Sequence, residues 1–254
     1  MKENILVLVR ATPEKSNRHG HLVCVAGINE DNNLRRLYPF EFRHGENLID
    51  FRKRDMIEVA LTEPDNDKRP ESRKVVTHTN LNSRLNDEDV RTRILPLVTS
   101  IEKLNETSAS LGIIKPELQD VKIQINTTKI SDEQTYFSMA GDFLETHEKV
   151  KIPVELRYQF KCKNEPECKG HNIILIDWEL NELARNVMRN DKDSGIVKEK
   201  IRAKFFDFMK TRDLYFFMGT HFRFGTWIII GIFYPSLPKN TISDSTVQTT
   251  LLGV

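Results

Sequence analysis

The sequence contains few of the features that identify an enzyme class or a membrane protein. It has no glycine-rich phosphate loop, no G-x-S-x-G motif and no H-E-x-x-H motif, so no common nucleotide, serine-hydrolase or metalloprotease site can be assigned. Its most apolar run, TWIIIGIFYP at 226–235, is far shorter than the roughly 20 residues that a membrane helix needs. Lysine and arginine together number 38, against 37 aspartates and glutamates. Because the whole chain has no basic field, a nucleic-acid site would have to be a local patch.

Cysteine is also scarce, with three in 254 residues. Three cysteines without a secretory signal argue against the disulfide framework of a small secreted protein. The first residues, MKENILVLVRATPEK, lack the pattern of a signal peptide, because the apolar run is short and ends at Arg10. We therefore expect a cytoplasmic protein that does not enter a membrane.

The order of apolar patterns predicts an α+β fold with a small N-terminal β-barrel-like domain, followed by a mixed α/β domain that carries a Cys/His hairpin. Short β-branched or alternating runs with polar breaks are typical of a small barrel or sandwich. In residues 1–82 these runs are 4–10, 21–28, 34–42 and 55–63. Residues 83–239 are predicted to form the second domain, which begins with a helix at 86–106 that Pro96 should kink or split. The Ser- and Thr-rich residues 240–254 are predicted to be a flexible tail.

The strongest chemical motif is FKCKNEPECKGHNIILID at 160–177, a predicted hairpin that carries Cys162, Cys168 and His171. Thiolates and imidazole are common zinc ligands, although five residues between the cysteines exceed the usual spacing of two to four. A polar hairpin with incidental thiols is the alternative. A redox pair is less favoured, because the spacing is not C-x-x-C and no helix begins after Cys162 to lower its pKa.

A structural zinc ion needs four protein ligands, and the hairpin offers three. His221 in the turn GTHFRFG is the best fourth candidate, because that turn could approach the hairpin. The weaker candidates are Cys24 and His147.

Asp177 and Glu179 flank Trp178 at the end of a predicted strand, where nuclease carboxylates are often found. No lysine follows them at the short spacing that metal-dependent nucleases use. The alternative is structural, with Asp177 capping the next helix and Glu179 as an acid in its first turn, an arrangement that the helix dipole favours.

Two basic clusters contain interleaved aromatic residues, a composition typical of nucleic-acid-binding surfaces. The first cluster lies at 34–54, and its candidate nucleic-acid-binding residues are Arg35, Arg36, Arg43, Arg52, Lys53 and Arg54. The second lies at 196–225 and contains Lys198, Lys200, Arg202, Lys204, Lys210, Arg212 and Arg223. For each cluster the alternative is a solvated charged face over core aromatics.

Several strings together resemble a family of uncharacterised prokaryotic proteins that occur near mobile or antiviral-defence genes. The strings are LRRLYPFEFR, RPESRKV, SLGIIKPELQDV, YQFKC…CKGHNIILIDWELNEL and GTHFRFGTWIIIGIFYP, and they span about residues 20 to 235. In size, charge and general look the chain is also similar to the accessory subunit that accompanies short archaeal Argonautes. The resemblance implies an archaeal or bacterial protein and strengthens the zinc hypothesis, but it implies no reaction.

These features lead to one main hypothesis and two alternatives. We expect a non-catalytic accessory subunit of a defence complex, which binds DNA or RNA through the N-terminal basic cluster and shares it with a protein partner. The first alternative is a metal-dependent nuclease centred on Asp177 and Glu179. The second is a protein-interaction module with structural zinc and no nucleic-acid contact.

Overall fold

The computed structural model describes residues 1–11, 14–16, 20–42, 49–125, 154–163, 165–221 and 224–238. Arg43, His147 and the predicted tail at 240–254 lie outside these residues. The described part of the chain is a mixed α and β structure, as predicted. None of its helices is long and apolar enough to cross a membrane.

The N-terminal part is a sheet of five long strands and one short one. In chain order the strands are β1 (Lys2–Arg10), β2 (Glu14–Ser16), β3 (Gly20–Ile28), β4 (Leu34–Phe42), β5 (Asp55–Thr62) and β6 (Ser72–Arg84). The sheet order is β1-β5-β6-β4-β3-β2, and β1 also pairs with β3. The five long strands are therefore partly closed on themselves, since β1 has neighbours on both sides. The sequence patterns did not predict β6, whose exposed side chains hide the alternation of a buried strand.

The segment at 86–106, predicted as one helix, is divided into short pieces. Helix α1 (Asp87–Ile94) begins at Asn86, whose side chain accepts hydrogen bonds from the backbone N–H groups of Glu88 and Asp89. A 3₁₀ turn that contains Pro96 follows, because proline cannot donate the next helical hydrogen bond. After the short strand β7 (Val98–Thr99) comes helix α2 (Ile101–Asn105).

The C-terminal part is a seven-stranded mixed sheet with two helices. Its remaining strands are β8 (Leu111–Ile114), β9 (Pro116–Ile125), β10 (Val154–Cys162), β11 (His171–Leu175), β12 (Tyr215–Thr220) and β13 (Trp227–Phe233). Their order is β7-β8-β12-β13-β11-β10-β9. Between β11 and β12 lie α3 (Trp178–Asn190), α4 (Ser194–Arg202) and a π-helical segment (Ala203–Phe208) that continues α4. The predicted hairpin is thus formed by β10 and β11.

The seven-stranded sheet is the middle layer of the structure. One of its faces packs on α3 and α4, with Phe216 of β12 among the buried residues of that core. The other face packs on the N-terminal sheet and α1, and Phe217 of β12 shares this second core with Leu6 and Leu8 of β1. A third core fills the N-terminal sheet. Strands buried on both faces have continuous apolar runs, which explains the sequences NILVLV in β1 and YFFM in β12.

Two buried polar contacts fix the N-terminal sheet against the middle layer. Arg36 of β4 is only 1% exposed, and its guanidinium donates to the hydroxyl of Ser110 at 2.8 Å and to the carbonyl of Ser110 at 2.8 Å. Burial lowers the pKa of Arg36 to about 10. In the second contact, Lys53 Nζ lies 2.9 Å from the nearer carboxylate oxygen of Asp177, which is fully buried after β11.

Lys53 forms ion pairs with both Asp177 and Glu179. We predict that replacing Lys53 destabilises the protein far more than replacing Glu179. Lys53→Met would leave the Asp177 carboxylate buried without its cation, a change that typically costs about 3–5 kcal/mol. The side chain of Glu179 is 40% exposed. Since exposed ion pairs contribute little, Glu179→Gln should lower the free energy of unfolding by roughly 1 kcal/mol or less. Urea unfolding of the two variants and the parent measures both effects. Equal midpoints for Lys53→Met and the parent would show that the pair does not hold the two layers together.

Candidate metal centre

The three ligands predicted from the hairpin lie together at its tip. Cys162 ends β10, Cys168 lies in the loop, and His171 begins β11. Tight backbone hydrogen bonds shape this loop, from Glu165 N–H to the Cys162 carbonyl and from Cys168 N–H to the Glu165 carbonyl, each 3.1 Å. Gly170 has a φ of +100°, a conformation that glycine adopts without strain. The loop therefore turns both thiols and the imidazole to one point.

The fourth member of the group is Glu102, from the first turn of α2. The group consists of one ligand atom from each of four residues, and these atoms all lie within 4.8 Å of one another. The residues are Glu102, Cys162, Cys168 and His171. His171 Nε2 is 3.6 Å from Cys162 Sγ, 3.1 Å from Cys168 Sγ and 3.1 Å from Glu102 Oε1. These four side chains form a possible metal-binding cluster. Both cysteines are buried.

His221, predicted as the fourth ligand, does not belong to this group. It follows β12, and β13 lies between β12 and β11 in the sheet. Two strand spacings of about 4.8 Å place the end of β12 roughly 10 Å from His171. The His221 ring instead stacks on Phe224, and its Nδ1 accepts the backbone N–H of Phe224 at 3.2 Å. Cys24, the weaker candidate, is buried in the core between the two sheets.

The start of α2 is fastened to the hairpin by further hydrogen bonds. The Ser100 hydroxyl caps α2 and donates to a carboxylate oxygen of Glu165 at 3.1 Å. The Ile101 backbone N–H donates to the Cys162 sulfur, and the Cys162 N–H donates to the Cys168 sulfur at 3.3 Å. The hydrogen bond from Ile101 acts to lower the pKa of the Cys162 thiol, because it favours the thiolate form.

The surroundings of the cluster shift the pKa values of Cys162 and Glu102 in opposite directions. Burial raises the pKa of the Cys162 thiol to about 12, and the nearby Cys168 and Glu102 act in the same direction. Burial also acts to raise the pKa of Glu102, but hydrogen bonds from its own backbone N–H and from Cys168, with the charge of His171, outweigh it. The pKa of Glu102 therefore lies below its ordinary value. The carboxylate is charged at neutral pH, while Cys162 without a cation remains a thiol.

The carboxylates proposed for a nuclease lie at the other end of β11 and are engaged in structural contacts. Asp177 caps α3 by accepting the backbone N–H of Glu179 at 2.8 Å, and it also accepts the N–H of Ile232 at 3.1 Å. Lys53 contacts both of its oxygens, at 2.9 and 3.2 Å. The sequence showed no lysine nearby, because Lys53 comes from the distant turn before β5. Burial raises the pKa of Asp177, although the charge of Lys53 opposes the shift.

The first basic cluster does not form one exposed surface within the described residues. Arg35 and Arg36 are neighbours in β4, so they point to opposite faces. Arg35 pairs with Glu3 at 2.8 Å, and Arg36 is buried against Ser110. Arg54 pairs with Asp87 beside α1, whereas Arg52 is exposed. Nucleic-acid binding by this cluster stays a prediction.

Comparison with known proteins divides the chain into two family matches. Residues 1–95 match the family described as domain of unknown function DUF8758, and residues 97–250 match the family described as domain of unknown function DUF8757. No curated protein matches the chain. Neither description mentions defence, Argonaute or a partner, so membership of a defence complex stays a prediction. The second match contains all four residues of the cluster and well over half of the 254 residues, and the chain therefore belongs to the DUF8757 family.

Proposed function

We propose that this protein is a non-catalytic zinc protein, in which Glu102, Cys162, Cys168 and His171 bind one structural Zn²⁺ ion. The observation that carries the proposal is the convergence of four ligand atoms within 4.8 Å. Bond lengths of about 2.3 Å to sulfur and 2.0–2.1 Å to nitrogen imply a tetrahedron with edges of roughly 3.5 Å between sulfur and nitrogen. The distances of 3.6 and 3.1 Å from His171 to the two sulfurs are close to that edge.

The donor set favours zinc over the common hard cations. Magnesium and calcium prefer oxygen ligands, whereas two thiolates with one imidazole suit zinc. The thiols would lose their protons on binding, so metal affinity is coupled to pH. The N–H groups of Ile101 and Cys162 already point at the sulfurs and would support the negative charge.

A structural role for the ion follows from the number and origin of its ligands. Catalytic zinc sites keep one position open for water or substrate, whereas structural sites are filled by four protein ligands. Here Glu102 comes from α2, and the other three ligands come from the β10–β11 hairpin. The ion would therefore join two segments that are distant in sequence, α2 and the tip of the β10–β11 hairpin.

The surroundings of Asp177 support a binding role rather than a nuclease. A metal-dependent nuclease needs carboxylate oxygens that can coordinate an ion. Both oxygens of Asp177 already accept hydrogen bonds, from Lys53 and from two backbone N–H groups. Coordination there would require the loss of the contact that fixes the N-terminal sheet. We propose that the chain acts by binding, as one component of a larger assembly.

We predict about one zinc per chain in protein purified without added metal or chelator, because the four ligands form a closed site. Elemental analysis of the parent and of Cys162→Ser, Cys168→Ser and Glu102→Gln measures the metal. The two cysteine variants should lose it, and Glu102→Gln should bind it more weakly. Cys24→Ala is the matched control, since it removes the remaining cysteine but should retain full zinc.

Removal of zinc should lower the free energy of unfolding, because the ion binds the folded chain and not the unfolded one. With free zinc at roughly 100 times its dissociation constant, binding stabilises the fold by about 2.7 kcal/mol. A chelator should therefore lower the unfolding midpoint of the parent and leave that of Cys162→Ser unchanged. Parent protein that contains no zinc, and whose stability responds to neither chelator nor added zinc, would contradict the proposal.

We also predict no intrinsic nuclease activity, since Asp177 has no free oxygen for a metal ion. Single- and double-stranded DNA and RNA incubated with the purified chain and magnesium or manganese should remain intact. The comparison is Glu179→Gln, which keeps the buried Lys53–Asp177 pair. Cleavage by the parent that is lost in Glu179→Gln would overturn the binding role and establish the nuclease alternative.

A further inference from the structure

A cluster of cations and aromatic rings lies on the helical side of the C-terminal part. Phe208, the last residue of the π-helical segment, is 38% exposed. The half-buried ring of Tyr234 stands edge-on to it, with centroids 6.3 Å apart. Lys204 Nζ is 4.0 Å from the Phe208 centroid and 5.0 Å from that of Tyr234. The guanidinium of Arg212 lies 5.3 Å from the Phe208 ring. We name Lys204, Phe208, Lys210, Arg212 and Tyr234 the Phe208 patch.

The exposure of Phe208 results from the π-helical segment. Helical periodicity from Val197 and Ile201 predicts that both Phe205 and Phe208 face the core. In the structure Phe205 and Phe206 are buried, and Phe208 is turned outwards. An α-helical turn has about 3.6 residues, and the i→i+5 bonding of a π-helix lengthens the turn, so the third residue after Phe205 lies further from the buried face. The fully buried Tyr158 donates its hydroxyl to the Phe205 carbonyl within this segment. The core thus stabilises the irregular turn that presents Phe208.

The positive charges of the patch are not neutralised by acidic side chains in the described part of the chain. Among the described residues, no acidic side chain forms an ion pair with Lys204, Lys210 or Arg212, whereas the neighbouring Arg202 pairs with Asp120 at 3.1 Å. Lys210 lies instead 4.6 Å from the ring of Phe206. Asp207 is the one acid in the π-helical segment, and it is exposed. Within the described residues, Lys204 and Lys210 contact aromatic rings and no acid, so their ammonium groups are available to a phosphate.

The patch also borders the loop that contains Arg52 and Lys53. Glu179 accepts a hydrogen bond from Lys53 at 3.0 Å and another from the hydroxyl of Tyr234 at 3.1 Å. These two contacts connect Lys53, which follows the exposed Arg52 in the chain, to Tyr234 of the Phe208 patch. A chain of phosphates on the patch could continue along this loop.

We propose that the Phe208 patch binds single-stranded nucleic acid. An exposed aromatic ring can stack on any unpaired base, and lysine and arginine beside it neutralise phosphates. A duplex hides the faces of its bases, so it could use the cations but not the ring. An acidic peptide would likewise leave Phe208 without a stacking partner. The Phe208 patch contains none of the four metal ligands, so its binding of nucleic acid is independent of zinc.

Fluorescence anisotropy with labelled oligo-dT and oligo-U, on the full chain at low salt, tests the proposal. When an aromatic residue that stacks on a base is replaced by alanine, binding weakens by about tenfold. Phe208→Ala should therefore bind about tenfold more weakly than the parent. Phe208→Trp should bind as well as the parent, because tryptophan can also stack on a base. Each phosphate contact contributes about 0.7 to the salt slope for single strands. The double change Lys204→Gln and Lys210→Gln should therefore reduce the slope by about 1.4.

Lys198→Gln is the matched control, because Lys198 is an exposed lysine of α4 that precedes the patch. It should change neither the affinity nor the salt slope by a comparable amount. The zinc content and unfolding midpoint of each variant, measured on the same sample, separate loss of the patch from loss of the fold. The proposal is overturned if the parent does not bind, if Phe208→Ala binds like the parent, or if a duplex or a poly-glutamate peptide binds more tightly than the single strands.

Discussion

The buried carboxylate of Asp177 is the interaction on which the arrangement of the layers depends. It is 0% exposed and is held by Lys53 from the turn before β5, by the N–H of Ile232 in β13 and by the N–H of Glu179 in α3. A buried carboxylate without these partners would cost several kcal/mol. The N-terminal part, the middle layer and helix α3 therefore meet at this carboxylate. This explains why two adjacent family matches make one structure with a shared core.

Strand β11 connects this carboxylate to the metal cluster. The strand begins at His171 and ends at Leu175, two residues before Asp177. One end is fixed through the cluster to α2, and the other is fixed through Lys53 to the N-terminal sheet. Tyr234, which contacts Glu179, extends the second connection to the Phe208 patch. A short central strand thus positions both the proposed zinc ion and the proposed binding surface.

Local patterns in the sequence predicted the elements whose signal is local. The hairpin with Cys162, Cys168 and His171 could be predicted because all three residues lie within one turn and its flanking strands. The cap at Asp177 and the break at Pro96 follow from similar short-range rules. Each of these features depends on ten or fewer consecutive residues, so short-range rules are enough to predict it.

The contacts that could not be predicted join distant parts of the chain. Glu102 is a charged residue of a kind that usually lies on the surface, and nothing near it in the sequence indicates a metal ligand. Lys53 and Arg36 belong to a run that was interpreted as one basic surface, but strand alternation and the second sheet bury Arg36 and pair Lys53 with Asp177. The exposure of Phe208 depends on a π-helical turn that the Tyr158 hydroxyl stabilises from the core. In each case the tertiary structure overrides the local pattern.

X-ray absorption at the zinc edge of the purified chain tests the central claim most directly, because it counts the ligand atoms around the ion. Two sulfurs at about 2.3 Å and two nitrogen or oxygen atoms at about 2.0–2.2 Å are expected for Cys162, Cys168, His171 and Glu102. In Cys162→Ser, any zinc that remains should show one sulfur fewer. A spectrum of the parent with only nitrogen and oxygen neighbours would contradict the proposed site.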